Sequence, residues 1–216
     1  VGLAGRRKSI ELKANIGDWH IEALEQLNAL LSGLDELKNG NSVKDFLGLA
    51  LAVGNFLNSG TYKANASGFR IDSLLKIRDM KTTDGKSNLL VYLIEFISRA
   101  NPELLSLPID IKDTSRASNM SLDGMTEILT EKKRTISRLE KLSKDYKEGN
   151  YEDLNGGIDK YIEIIDPFIE SARKHIESVE VKLLEASENF SEILNYFGDD
   201  GNFKNPQEFF SVFTDF

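Results

Sequence analysis

Eleven apolar residues, Ile158, Ile162, Ile165, Ile169, Ala172, Ile176, Val179, Leu183, Ala186, Phe190 and Ile193, recur at alternating steps of four and three without a break. On a helix such a series forms one continuous stripe, roughly 50 Å long at 1.5 Å per residue, and a stripe of that kind must be covered by other helices. A second stripe precedes it: Leu122, Met125, Leu129, Ile136 and Leu139 keep three-four spacing with Lys132 interrupting, while Glu, Lys and Arg fill the other faces. With a turn near Gly149-Asn150, the two segments predict an antiparallel helical hairpin, which needs a third helix to bury both stripes. Residues 19–38, with Ile21, Leu24, Leu27, Leu31 and Leu34 on one face, can supply it. Pro167 falls inside the long stripe and is expected to bend the helix there.

The remainder reads as shorter helices. Asn39-Gly40-Asn41-Ser42 stops the first one and offers Ser42 as N-cap of the next, Val43 to Leu57, which is apolar on more than one side and is expected to be buried centrally. Residues 58–68, rich in Ser, Gly, Asn and Ala, predict a loop. Leu74, Leu75 and Ile77 begin a short helix, and Asn88 to Ala100 is helical before Pro102, after a polar break over 81–86. Asn205-Pro206 predicts a cap and first-turn proline opening a last helix, whose Phe209, Phe210, Phe213 and Phe216 need a surface to dock on. The fold class is all-α, with a compact helical subdomain over about 19–119, an elongated antiparallel coiled-coil hairpin over about 120–197, and a C-terminal helix over about 198–216 that docks back.

Composition narrows the chemistry. The chain has no cysteine, so disulfides, thiolate metal sites and cysteine nucleophiles are excluded, and its two histidines, His20 and His175, cannot make a three-histidine metal centre. No apolar run is long enough to span a membrane and no leader pattern opens the chain, so a soluble, cytoplasmic protein is expected; the sequons at Asn65, Asn119 and Asn189 then carry no weight. A net charge of −8 disfavours nucleic acid. The charge is uneven, however: residues 60–90 hold six bases against three acids, whereas 185–216 hold seven acids against Lys204 alone. A local basic patch on an acidic chain suits a defined acidic protein partner.

From Val53 the chain runs Val53-Gly54-Asn55-Phe56-Leu57-Asn58, then Gly60, Ala66, Gly68-Phe69, Ile71, Leu74, Lys76, Arg78, Lys81, Asp84, Lys86 and Leu89-Leu90. Pro102-Glu103, Tyr196-Phe197-Gly198 and Pro206-Gln207-Glu208-Phe209-Phe210 follow. Read physically, Gly54 permits a close backbone approach at a helix end, and the Asn55 and Asn58 amides can each donate and accept, so they can hold an irregular loop by its backbone. The order and spacing of these residues resemble the formin family, in its actin-binding formin homology-2 domain. Arg6, Ile10, Leu12 and Lys13 are similar to the start of that pattern, with Leu12 in place of an aromatic residue.

The resemblance covers almost the entire chain and implies the post and coiled-coil part of that domain, which is roughly twice as long; the lasso, linker and most of the knob would precede it. It implies a binding module for actin, which in the intact protein nucleates filaments and caps barbed ends as a dimer, with no enzymatic activity and no cofactor. Gly54, Asn55, Asn58, Gly68 and Phe69 would form the surface that receives the lasso of a second formin homology-2 subunit, although the asparagines can equally satisfy their own loop and Phe69 can be core. Lys76, Arg78, Lys81 and Arg70 would contact actin, with Lys81 on the post surface; composition alone reads these cations as a solvated helix face. Profilin would be engaged only through regions outside this chain, and without the lasso the chain is expected to be monomeric or weakly associated.

Two rival readings differ in class. A non-actin helical scaffold similar to spectrin-type repeats accounts for the heptads but leaves residues 54–90 unexplained. A nucleotide hydrolase built on Gly85-Lys86-Ser87 lacks the first glycine of a phosphate-binding loop, since Met80 stands there, and lacks a preceding strand.

Overall fold

The computed structural model describes residues 2–81, 85–148, 157–199 and 201–216, with side chains outside 2–8 and 157–161. Nine α-helices are present among the described residues: α1 (Gly2–Asn39), α2 (Asn41–Leu57), α3 (Leu74–Asp79), α4 (Leu89–Ala100), α5 (Leu107–Asp110), α6 (Lys112–Ala117), α7 (Leu122–Lys147), α8 (Gly157–Tyr196) and α9 (Pro206–Asp215). The only extended pairing among them is an isolated antiparallel bridge between Lys81 and Asn88. The all-α expectation holds. The expected turn at Gly149-Asn150 and the side chain of Ile158 lie outside the described residues, as do Asp84 and the side chain of Arg6.

The chain divides into two compact units, residues 1–27 with 122–185, and residues 28–121 with 186–216. In the first unit α7 and α8 run antiparallel, because partners step up α7 as they step down α8: Lys133 with Glu180, Glu140 with Arg173, and both Ser143 and Lys147 with Asp166. The long stripe of α8 is buried in each unit that it enters, Ile165, Ile169, Ala172, Ile176, Val179 and Leu183 in the first and Ala186, Phe190 and Ile193 in the second.

The seam of α7 carries two polar residues, and each has a dedicated partner. Lys132 lays its ammonium 4.7 Å from the centre of the Trp19 ring on α1, and buried Ser143 donates to Asp166 at 2.5 Å. Polar residues that fit only one partner fix register in a helical bundle. Asp166 is held below the ordinary carboxylate range by Lys147 and then Ser143, with burial opposing. Helix α8 continues through Pro167, which lies on its exposed side, where water can reach the carbonyl that the proline leaves without an amide.

Two expectations for α1 are corrected. The helix starts at Gly2 rather than near residue 19, and Ile21 is 59% exposed. Its buried stripe is Ser9, Leu12, Ile16, Ala23, Leu27, Leu30, Leu34 and Leu37. This set follows a three-four step from further upstream, and the neighbouring helices select it over the stripe through Ile21.

The second unit is centred on the phenylalanines of α9. Asn205 caps that helix by accepting from the Glu208 amide at 2.9 Å, with Pro206 in the first turn. Phe209 is fully buried among the rings of Phe190, Phe197, Phe203, Phe210 and Phe213, with centroids 5.5–6.1 Å away. The turn before α9 is tied by Asp199, whose carboxylate accepts from the amides of Gly201, Asn202 and Phe203 and from the Asn202 side chain. In the same unit, Glu36 of α1 accepts from the Asp113 and Thr114 amides at 3.1 and 2.8 Å and so caps the first turn of α6 from another helix.

Ser42 is not the cap of α2. Gly40 occupies that position, and the Ser42 hydroxyl donates instead to Asp110, which also accepts from Ser106. Nor is α2 buried centrally: Val43, Phe46 and Ala50 are buried, but Phe56 and Leu57 are 77% and 50% exposed. One face of α2 meets the 102–110 segment, while Phe56 and Leu57 at its end remain open among the described residues.

Candidate protein-binding surface

The end of α2 and the loop after it are held by one side chain. Asn55 donates its amide to the Ala66 carbonyl at 3.0 Å and accepts the Ala66 N–H at 2.8 Å, closing an eleven-residue excursion in both directions. Asn58 works through its backbone: its N–H bonds the Gly54 carbonyl at 3.1 Å, and its own carbonyl accepts from the Thr61 amide and hydroxyl at 3.0 and 2.7 Å. Asn65 takes up a left-handed conformation at φ 61°, which asparagine tolerates. The loop tied in this way carries Tyr62, 92% exposed, five residues after Leu57.

The expected close approach at Gly54 is not made among the described residues. A Cβ built on Gly54 or on Gly68 meets nothing within 4 Å, so the space over both glycines is open. Phe69 is half-buried, between the two alternatives for it.

The four cations separate into two pairs. Arg70 grips Asp72 through two nitrogens at 3.3 and 3.2 Å. Arg78 bonds Asp79 and also donates to the Asp215 carbonyl at 2.8 Å, which pins the end of α9 onto α3. The bond to Asp79 raises the guanidinium pKa against the pull of burial. Lys76 and Lys81 are exposed and make no side-chain hydrogen bond or ion pair among the described residues. Lys81 is placed by its backbone, through the bridge to Asn88 and the bond from the Leu89 N–H to the Met80 carbonyl at 2.8 Å. Asn88 in turn caps α4 by accepting from the Val91 amide. Gly85-Lys86-Ser87 belongs to this bridged connection, with no strand before it among the described residues.

A further open feature escaped the reading by motif. A groove of about 380 Å³ runs between α4, the 102–111 segment and the end of α9, lined by Phe46, Leu90, Ile94, Leu105, Phe213 and Phe216 among others. Beside it Ile109 is 73% exposed, and on α4 Tyr92 and Phe96 are 61% and 47% exposed. The signal was present in the run Leu89-Leu90-Val91-Tyr92-Leu93-Ile94, which is apolar all round and so leaves one face over after the core is filled. Among the described residues no three acidic or histidine side chains gather as a metal site, and no helix is long and apolar enough to cross a membrane.

An antiparallel helical hairpin in one unit, and in the other an aromatic-centred helical core with an asparagine-tied loop and open glycines, define a class of all-α protein with exposed apolar and basic surfaces. The Formin Homology 2 Domain family model matches residues 3–216, and the chain belongs to that family. It is 31% identical over 212 residues to mouse Disheveled-associated activator of morphogenesis 1, covering 98% of this chain and 19% of that protein. Formin-F of Dictyostelium discoideum is 30% identical over 213 residues, with 97% and 17% covered, and rat Protein diaphanous homolog 3 is 27% identical over 188, with 87% and 16% covered. The chain thus spans a fifth or less of the length of the relatives that it matches.

Proposed function

We propose that the chain is an actin-binding module that works in a larger formin, where two such domains nucleate filaments and hold the barbed end, in the cytoplasmic actin cytoskeleton. Residues 19–119 would act as the post, 120–197 as the coiled-coil arm and 198–216 as the helix docked on the post. The observation that carries the actin contact is the separation of the cations: Lys76 and Lys81 are exposed and hold no side-chain partner among the described residues, as a charged contact to an acidic surface requires. Arg70 and Arg78 would join it only by exchanging partners they already hold.

The empty space over Gly54 and Gly68, with Phe56 and Leu57 exposed on α2, supports a second subunit's lasso docking there. Asn55 and Asn58 then serve that surface indirectly, by fixing the loop, and Phe69 as a half-buried part of it. Affinity for a filament end would come from two linked halves acting together, so the chain alone should bind actin weakly.

Co-sedimentation with filamentous actin at two salt concentrations tests the contact. Binding that weakens with salt and is lost in Lys81→Asp, with a smaller loss in Arg70→Asp, is the expected result. Binding by the wild-type chain that Lys76→Asp and Lys81→Asp both leave intact would remove these lysines from the contact.

A further inference from the structure

The chain has two histidines, and the structure stacks one on the other. His20 of α1 and His175 of α8 lie with ring centroids 4.4 Å apart and planes 19° from parallel, within the first unit. His20 Nε2 is 3.0 Å from the Ser178 hydroxyl. His175 Nδ1 is buried and has no hydrogen-bond partner. We propose that this pair is a proton-operated latch, which holds α1 to the α7–α8 hairpin while both rings are neutral and weakens that contact when the surroundings acidify.

Three features give the latch its direction. Neutral imidazoles stack favourably, whereas two imidazolium rings at this separation repel, more strongly away from bulk water. A charged histidine donates from both nitrogens, and the Nδ1 of His175 has no acceptor to meet. The third element offers no relief, since α7 brings Lys132 to the Trp19 ring, one residue from His20.

The charged residues within two positions of either ring are Asp18 and Glu22 on α1 and Arg173, Lys174 and Glu177 on α8, and α7 brings Lys132 to the adjacent Trp19 ring with Glu131 before it in sequence. Asp18, Glu22, Glu131, Lys174 and Glu177 are exposed. Burial first and His175 second hold His20 below the ordinary histidine value of 6.5. A base whose folded value is depressed binds more protons when released, so the stability it contributes is complete above about pH 6.5 and is lost as pH falls through the window below.

Two histidines give two sets of ring resonances, so an NMR titration of the whole chain reads the pair directly. The expected result is that His20 titrates below the ordinary value and that its midpoint moves up toward that value in His175→Phe, which removes the charge facing it. Thermal melts of the wild-type chain should fall as pH drops from neutral toward 5.5, with a smaller fall in His20→Phe, which keeps a ring but removes its charge. Titration of His20 at the ordinary value overturns the proposal, and this readout needs no variant. An equal fall in melting temperature with acid for wild type and His20→Phe also overturns it.

Discussion

Gly33 and Gly54 both sit inside helices, yet they make opposite predictions. A Cβ on Gly33 would lie 3.0 Å from the Thr114 Cα and backbone nitrogen, where only main chain is available to yield. The Thr114 hydroxyl donates to the Gly33 carbonyl at 3.2 Å and to Glu36 at 3.0 Å, so α6 cannot simply retreat. Overpacking of this kind costs about 1–3 kcal/mol, more than the ~1 kcal/mol that alanine returns in helix propensity. Gly33→Ala is therefore expected to lower the denaturant midpoint. At Gly54 the added methyl meets nothing within 4 Å, and Gly54→Ala should stabilise the chain by about 0.5–1 kcal/mol while obstructing whatever docks above it. Urea melts of the two variants should move in opposite directions; a shift of the same sign in both would mean that one of the two spaces is misread.

At the scale of elements, how much the sequence disclosed depends on where the deciding partner lies. The stripe of α8 was legible from Ile165 to Ile193 because a repeat of four and three on one helix admits a single buried face, with Ile162 half-buried ahead of it, and Asn205-Pro206 was legible because a cap is a local matter. The buried face of α1 was not, because Ile21 and Ala23 lie on competing stripes and neighbouring helices decide between them. Ser42 failed as a cap for the same reason, since its hydroxyl is taken by Asp110, 68 residues away. In the candidate site, the Asn55 loop tie was readable from the motif. The commitment of Arg78 to the Asp215 carbonyl, 137 residues away, was not.

The turn into α9 carries a prediction of its own. Burial alone would raise the Asp199 carboxyl, but the Asn202 side chain and the amides of Phe203, Asn202 and Gly201 outweigh it and leave the value below the usual 3.8. A depressed carboxylate contributes stability that is present above the unfolded value and is lost as pH falls through the folded one. Asp199→Asn should remove part of the stability lost below about pH 4. Melts across that range check it, and an identical acid profile in wild type and variant would leave Asp199 no part in acid stability.

For the whole molecule, each unit joins stretches far apart in sequence, 1–27 with 122–185 and 28–121 with 186–216, so neither can form before distant helices meet. The second unit shows water Phe56, Leu57, Tyr92 and Ile109 together with the apolar groove, surfaces that a partner would cover. The expected state in solution is a monomer with weak, concentration-dependent self-association, measured by sedimentation velocity; a tight dimer at micromolar concentration would contradict it. Trp19, stacked beneath Lys132, is the sole tryptophan. Its emission senses the first unit alone, whereas peptide-bond dichroism averages over every helix. Heating the unlabelled chain while following both signals reveals whether the halves melt as one body or two, because any gap between the curves belongs to the unit the indole does not see.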